Sequence, residues 1–111
     1  MSKDKRKNYF GYNRHRKHYS YVYDGDDKFR KNLLISTKPV VRVKRKGKTK
    51  IFNNVPLEKH PNPKSTKQVY LINRKYVDKK SNISVRKGWK FSKKDKIKVC
   101  EILNKNEKSR R

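Results

Sequence analysis

Arginine and lysine are the residues of this chain with the clearest capacity for chemistry. The sequence has 35 of them against nine Asp and Glu, which gives a formal net charge of +26. RNA carries its own nucleophile, the 2′-hydroxyl, so a metal-independent ribonuclease needs only a base for that proton and cations for the developing phosphorane charge. Arginine suits the second role because its planar guanidinium stays charged and binds phosphate oxygens bidentately. Composition alone does not single out any one basic residue.

Other catalytic chemistries have little support in the sequence. Four scattered glycines form neither a GxGxxG motif nor a P-loop, and there is no serine nucleophile elbow. Three acidic residues, Asp24, Asp26 and Asp27, lie together in a predicted solvated turn. Cys100 is the single cysteine, and three histidines do not complete a zinc pattern with it. We therefore predict no metal and no cofactor.

The charge predicts the partner. A surface this basic attracts polyanions, and counterion release favours binding to nucleic acid. Anionic membrane is a weaker expectation, because no long basic amphipathic helix and no apolar segment of transmembrane length is present. The absence of an apolar leader and of a disulfide framework predicts a cytoplasmic protein.

The hydrophobic pattern predicts one small domain with a thin core, because only 31% of the residues are hydrophobic and 40% are charged. We place a flexible basic arm at residues 1–16, the domain at 17–105 and a basic tail at 106–111. The arm is either a solvated tail or a nucleic-acid contact, and in the second case Arg14 and Arg16 bind phosphate while Tyr9, Phe10 and Tyr12 stack on bases.

Alternating and continuous apolar runs predict about five strands. They are "HYSYVYD", "KNLLIS", a hairpin of "PVVRVKR" and "TKIFN" turning at Gly47, and "QVYLINRKYVD". The segment "SKKDKIKVCEILNK" predicts a helix, since Ser92 and Asp95 form a capping box and Ile97, Cys100 and Leu103 recur at helical spacing. On that face Cys100 is expected to be a small core residue. The fold class is therefore mainly β: a small curved sheet or partial barrel with a C-terminal helix.

The predicted hairpin has a very basic tip that suits backbone phosphates. Tyrosines of the strands either stack on bases or pack half-buried with the hydroxyl at the rim. The candidate nucleic-acid-binding residues are Arg42, Lys44, Arg45, Lys46, Lys48 and Lys50 of the hairpin, Arg14 and Arg16 of the arm, and Tyr19, Tyr21 and Tyr70.

Three segments, in order, resemble the PemK/MazF-like toxin family over roughly residues 29–103. "RKNLLIS" resembles the family strand "RPVLVIS", including the interval between Arg and Ser. In "VYLINRKYVDKK", residues 76–79 overlay the family's T-V-D-K, with Arg74 shifted one place from the family arginine. "WKFSKKDKIKVCEIL" is similar to the closing helix.

The resemblance implies an SH3-like small barrel that cleaves single-stranded RNA without metal, as a homodimer neutralised by a protein or RNA antitoxin. It implies catalytic roles for Arg30, which matches the arginine before the first core strand, and for Arg74. The family's Ser or Thr has its nearest substitute in Thr49, with Thr37 as another. The Pro that follows the family arginine is Lys31 here.

Three hypotheses follow. The first is an RNA-binding small barrel of toxin type, with endoribonuclease activity if the catalytic residues are retained. The second is a non-enzymatic nucleic-acid-binding protein of ribosomal, phage or plasmid accessory type that grips the phosphate backbone. The third is an inhibitor or adaptor that binds an acidic protein surface.

Overall fold

Strands dominate the architecture. The computed structural model describes residues 7–108 and is mainly β, with one α-helix near the C-terminal end, α1 (Lys93–Lys108). The predicted fold class is confirmed, although the strands within the described residues number nine rather than about five. They are β1 (Tyr9–Asn13), β2 (His18–Gly25), β3 (Phe29–Ser36), β4 (Val40–Arg45), β5 (Lys48–Asn53), β6 (Val55–Pro56), β7 (Tyr70–Leu71), β8 (Tyr76–Lys79) and β9 (Ile83–Arg86).

Seven strands form one antiparallel sheet in the order β6-β7-β3-β2-β1-β9, with β8 also paired to β3. Although β8 and β9 lie toward opposite sides of this sheet, only a 3₁₀ turn at Lys80–Asn82 separates them along the chain. The sheet must therefore curl, and Asn13 of β1 donates a hydrogen bond across the curl to Asp78 of β8 at 2.9 Å. Over residues 7–108 no ladder joins β8 to β9, so the expected barrel is not closed.

The two faces of the sheet bury different chemistry because successive strand residues point to opposite sides. Phe10, Leu33 and Ile35 pack on one face against Val99 and Ile102 of α1. The other face lies inside the curl and has only a small apolar cluster of Tyr9, Val22 and Ile83. We call four of its buried polar residues the polar interior: Asn13, Arg30, Asn32 and Asp78.

Hydrogen bonds satisfy most of the polar interior, as burial of polar groups requires. The Asp78 carboxylate accepts from the Asn13 and Asn32 amides at 2.9 and 3.1 Å. It also accepts from Arg16 Nε at 3.0 Å. Asn13 donates to Asn32 at 3.1 Å, which links β1 to β3. The inside of the curl is therefore stabilised mainly by hydrogen bonds between polar side chains, and its apolar cluster is small.

The predicted flexible arm is wrong for residues 9–13, which form β1 between β2 and β9. Phe10 packs in the main core, and Tyr9 packs inside the curl. Neither ring is therefore available for the predicted base stacking. Residues 1–6 of the arm and 109–111 of the tail lie outside the described residues, and the helix extends through residue 108.

Helix α1 is present where predicted, but its buried face differs from the predicted one. The Ser92 hydroxyl accepts from the Asp95 backbone N–H at 3.2 Å, as a capping residue does. Ile97 is 62% exposed and Cys100 is exposed, so the expectation of a core cysteine is wrong. Val99 and Ile102 are buried instead, an equally good helical spacing.

The predicted strand "QVYLINRKYVD" is two short strands, β7 and β8, on the same edge of β3. Between them Arg74 N–H donates to the Ile72 carbonyl at 2.8 Å, which bends the chain. Asn73 and Arg74 therefore leave the sheet edge. This bend brings them beside the hairpin described next.

Candidate nucleic-acid interface

Strands β4 and β5 form a hairpin that is a separate two-stranded sheet, and a two-residue turn joins them. The turn residues Lys46 and Gly47 have φ of 52° and 76°. Positive φ at both central positions is typical of a type I′ turn, whose twist suits a two-residue hairpin and favours glycine. The sequence prediction of a hairpin turning at Gly47 is confirmed.

The ladder register sorts the hairpin residues onto two faces, because directly paired residues point to the same side. Val43 pairs with Lys50, and Arg45 with Lys48. Together with Phe52 these residues make one face. Arg42 pairs with Ile51 and Lys44 with Thr49, which places them on the opposite face.

The first of these faces lines a cavity of about 600 Å³ that we call the basic groove. Arg74 and Asn73, from the bend between β7 and β8, complete its wall. The lining residues are Val43, Arg45, Lys46, Lys48, Lys50, Phe52, Asn73 and Arg74. Five of these eight are cationic and none is acidic. Phe52 is 44% exposed, so an aromatic ring is accessible among the charges.

The basic groove holds its cations without carboxylate partners in the part of the chain that the structure describes. The ion pairs within residues 7–108 lie outside the groove, for example between Arg16 and Asp78 or between Lys94 and Glu58. Arg45 and Lys48 stand directly opposite each other, an arrangement that repels in the absence of an anion. A polyanion in the groove would relieve that repulsion.

Arg74 is positioned by an aromatic ring. Its guanidinium carbon lies 5.7 Å from the centroid of the Tyr76 ring, and that of Arg16 lies 4.6 Å from the same centroid. Arg16 is additionally fixed by its Asp78 ion pair. Arg74 is exposed and free to bind phosphate, whereas Arg16 holds Tyr76 and Asp78 in place.

Arg30 has no accessible surface, which overturns its predicted place at a phosphate. Its Nε donates to the Tyr9 hydroxyl at 3.1 Å, and its Nη1 donates to the carbonyls of Asp26 and Phe29. A Cβ built at Gly25, its partner across β2, would lie 2.9 Å from Arg30 Cδ, so Gly25 leaves room for the buried side chain. Arg30 is part of the scaffold.

The three residues predicted as catalytic are therefore not gathered in one site. Arg30 lies inside the curl, Arg74 lines the basic groove, and Thr49 points to the opposite face of the hairpin. Thr37, the other substitute, is exposed after the end of β3.

The remaining predicted contacts divide between surface and scaffold. Exposed Arg14 donates from its guanidinium to the Ser81 carbonyl, so it tethers β1 to the 3₁₀ turn. Tyr21 packs between Phe10 and Phe91, with centroid distances of 5.2 and 4.9 Å. Burial, the larger cause, and proximity to Cys100 raise the pKa of its hydroxyl. Tyr70 is half-buried in β7 opposite Ser36.

Burial also shifts the pKa values of two histidines and a further tyrosine among residues 7–108. Burial lowers the pKa of His18; nearby Lys38 acts in the same direction, against a hydrogen bond to the Ile35 backbone. Burial and then Lys67 lower the pKa of His60. The pKa of Tyr23 is raised by burial and by Asp24. Both histidines thus favour the neutral form.

Sequence reasoning missed Phe52 and Asn73 as groove residues. Phe52 lies within the predicted strand "TKIFN", and an aromatic residue within a basic hairpin is a recognisable signal for single-stranded nucleic acid. Asn73 gave no signal, because only the bend brings it to the groove.

Over residues 7–108 no group of three or more His, Cys, Asp and Glu side chains is arranged to hold a metal ion. No helix in that range is long and apolar enough to cross a membrane. No protein-family model, curated protein or solved structure matches this chain. The resemblance to PemK/MazF-like toxins stays a prediction from the sequence motifs.

Proposed function

We propose that this protein binds single-stranded nucleic acid, with RNA as the expected ligand, through the basic groove of its β4–β5 hairpin. The observation that carries the proposal is the convergence of Arg45, Lys48, Lys50 and Arg74 on one cavity together with exposed Phe52. Cations that track a phosphate backbone and an aromatic ring for base stacking are the combination that single-stranded nucleic-acid binders use.

Each groove residue has a role in the proposed complex. The ammonium groups of Lys48 and Lys50 neutralise successive phosphates as point charges, while Arg74 binds one phosphate bidentately. Phe52 offers a sequence-tolerant stacking surface. Since these contacts read backbone and ring faces, recognition is expected to depend little on base sequence.

The proposed activity is binding rather than cleavage. A metal-independent ribonuclease needs a base within reach of the 2′-hydroxyl, and the groove lining includes neither a carboxylate nor a histidine. Arg30, the arginine that the family resemblance assigned to catalysis, is buried. We expect single-stranded RNA incubated with the protein in EDTA to stay intact; cleavage that Arg74→Ala abolishes would instead establish the endoribonuclease hypothesis.

The hairpin offers a matched pair of charge reversals. The double variant Lys48→Glu/Lys50→Glu changes the groove face, and Arg42→Glu/Lys44→Glu makes the same change in net charge on the opposite face. Fluorescence anisotropy with a labelled oligouridylate is expected to show a loss of about a hundredfold or more for the first, from two charged contacts. The control should lose less than about tenfold through long-range attraction alone.

Salt dependence gives a second measurement. The slope of log affinity against log salt concentration should become shallower by about 1.4 in the groove variant, because each single-strand phosphate contact contributes about 0.7. Equal losses in both variants would show that the groove is not the binding site. Salt-independent affinity, or binding to an acidic protein with none to RNA or DNA, would overturn the proposed function.

A further inference from the structure

Three aromatic side chains and the His60 imidazole form a continuous row built from β1, β2, the segment after β9 and the segment between β6 and β7. Tyr12 and Tyr19 are direct cross-strand partners with centroids 5.1 Å apart. Trp89 lies 4.8 Å from Tyr19, and His60 lies 5.5 Å from Trp89. We call Tyr12, Tyr19, Trp89 and His60 the aromatic row.

The sequence builds this row from local rules. Antiparallel pairing of β1 with β2 sets Tyr12 beside Tyr19 on the same face. Gly88 has φ of 81°, a conformation that favours glycine, and this turn after β9 brings Trp89 back over the sheet. The ring centroid of the core residue Phe10 lies 5.9 Å from that of Trp89, so Trp89 packs against the core at this point.

The row keeps part of its ring surface accessible. Tyr19 is 37% exposed, and Tyr12, Trp89 and His60 are each part-exposed. Tyr21, two residues from Tyr19 on the same strand face, is also part-exposed, but its ring lies between Phe10 and Phe91. Tyr19 is therefore the most exposed ring of the row, and Tyr12, Trp89 and His60 extend its part-exposed surface on either side.

Cations lie beside the middle of the row and at its His60 end. The Arg86 guanidinium carbon lies 5.9 Å from the Tyr19 ring centroid. At the end of the row, His60 lines a second cavity of about 600 Å³ together with Lys59, Lys67 and Lys90; Glu58 also lines it and is paired with Lys94 at 3.5 Å. This surface therefore combines exposed rings with positive charge, which complements a base-bearing polyanion.

His60 adds a hydrogen-bond donor to the end of the row. Its Nδ1 accepts a hydrogen bond from the Asn62 backbone N–H at 3.0 Å, so the neutral ring carries its proton on Nε2. A donor at the end of a row of rings can bind a phosphate oxygen or the edge of a base.

We propose that the aromatic row is a second nucleic-acid contact, at which bases of a single strand stack on Tyr19 and Trp89 while Arg86 and the lysines of the adjoining cavity bind the flanking phosphates. This inference rests on the proposed function and adds to it: the basic groove supplies charge and one ring, Phe52, and the aromatic row supplies further rings on which bases stack. Small sheet domains that bind RNA stack about two or three bases on such aromatic residues.

The single tryptophan of the chain makes the first test specific to the row. An oligouridylate is expected to quench Trp89 fluorescence on binding. An abasic ribose-phosphate oligomer of the same length is expected to bind the basic groove while leaving that fluorescence unchanged. Quenching of equal size by both oligomers, or by neither, would overturn the aromatic contact.

A matched pair of variants provides the second test. Tyr19→Ala should weaken oligouridylate binding by about tenfold, within the range for loss of one stacked base, and leave abasic-oligomer affinity unchanged. Tyr19→Phe retains the ring and should bind as the natural protein does. Phe29→Ala removes a ring of similar exposure (42%) outside the row and should also have no effect.

The outcomes separate the two proposals. Normal oligouridylate affinity in Tyr19→Ala, with the groove charge reversal still harmful, would remove the aromatic row and leave the basic groove standing. Failure of the natural protein to bind either oligomer would overturn both. Circular dichroism of Tyr19→Ala checks that the sheet persists, and Tyr19→Phe keeps the test decisive if it does not.

Discussion

The polar interior and the basic groove use the same residue types in opposite surroundings. Inside the curl, Asp78 is 5% exposed and accepts hydrogen bonds from the Asn13 and Asn32 amides and from Arg16. Buried Arg30 donates to the Tyr9 hydroxyl. In the groove, Arg45, Lys48 and Lys50 are exposed and repel one another, and no acidic residue lines the groove. Paired and buried charge organises the sheet, and unpaired exposed charge is available to a ligand.

The largest effect should come from breaking the polar interior at its acceptor. Asp78→Ala would leave the buried Asn13 and Asn32 amides without an acceptor and remove the partner of Arg16. We expect a loss of about 3–5 kcal/mol in the free energy of unfolding, measured by urea denaturation. Asp24→Ala is the control, because Asp24 is exposed and its pair with Lys31 spans 3.9 Å. That variant should lose less than about 1 kcal/mol. A similar loss in both would contradict the central role given to Asp78.

The same substitution at two arginines sharpens the comparison. Arg30→Met should reduce the free energy of unfolding by about 2–4 kcal/mol, because the carbonyls of Asp26 and Phe29 and the Tyr9 hydroxyl lose their donor. The folded fraction should bind oligouridylate normally. Arg74→Met should leave stability within about 0.5 kcal/mol and weaken binding about tenfold.

Urea denaturation and anisotropy on the same preparations provide both readings. Weakened binding by well-folded Arg30→Met would show that Arg30 reaches the ligand. The assignment of Arg30 to the scaffold would then be wrong.

The smallest effect is a gain in stability. Lys48→Glu places a carboxylate directly opposite Arg45 and turns a repulsive cross-strand pair into an attractive one. We expect the hairpin to gain about 0.2–1 kcal/mol while nucleic-acid affinity falls. Hydrogen exchange of the β4 and β5 amides measures the gain, and Lys44→Glu, opposite Thr49, is the control on the other face. Slower exchange in the control alone would show that repulsion in the groove is not the cause.

Local signals in the sequence predicted the hairpin and the helix well. The hairpin turn depends on two residues, and Gly47 within a basic tip was sufficient to locate it. The Ser92 cap likewise located the start of α1. By contrast, β1 was missed because its residues follow a highly charged run, and only pairing with both β2 and β9 makes it a strand.

The candidate site was predicted in part. The basic hairpin residues were found, but the split between Lys48 and Lys50 on one face and Arg42 and Lys44 on the other required the ladder register. Trp89 and Arg86 had no assigned role in the sequence, because their place beside Tyr19 depends on the turn at Gly88 and on the position of β9. A short stretch of sequence does not indicate long-range pairing of this kind.

The sequence by itself determined the charge of +26, the mainly β class and the hairpin, since each follows from composition or from neighbours within a few residues. Only the tertiary structure decided which cations face solvent. Arg30 and Arg74 have the same side chain, yet the curl of the sheet buries the first, and the bend between β7 and β8 turns the second to the groove. The physical reason is that burial and pairing depend on residues distant in sequence. Those distant contacts assign each guanidinium either to the scaffold or to a surface that binds a ligand.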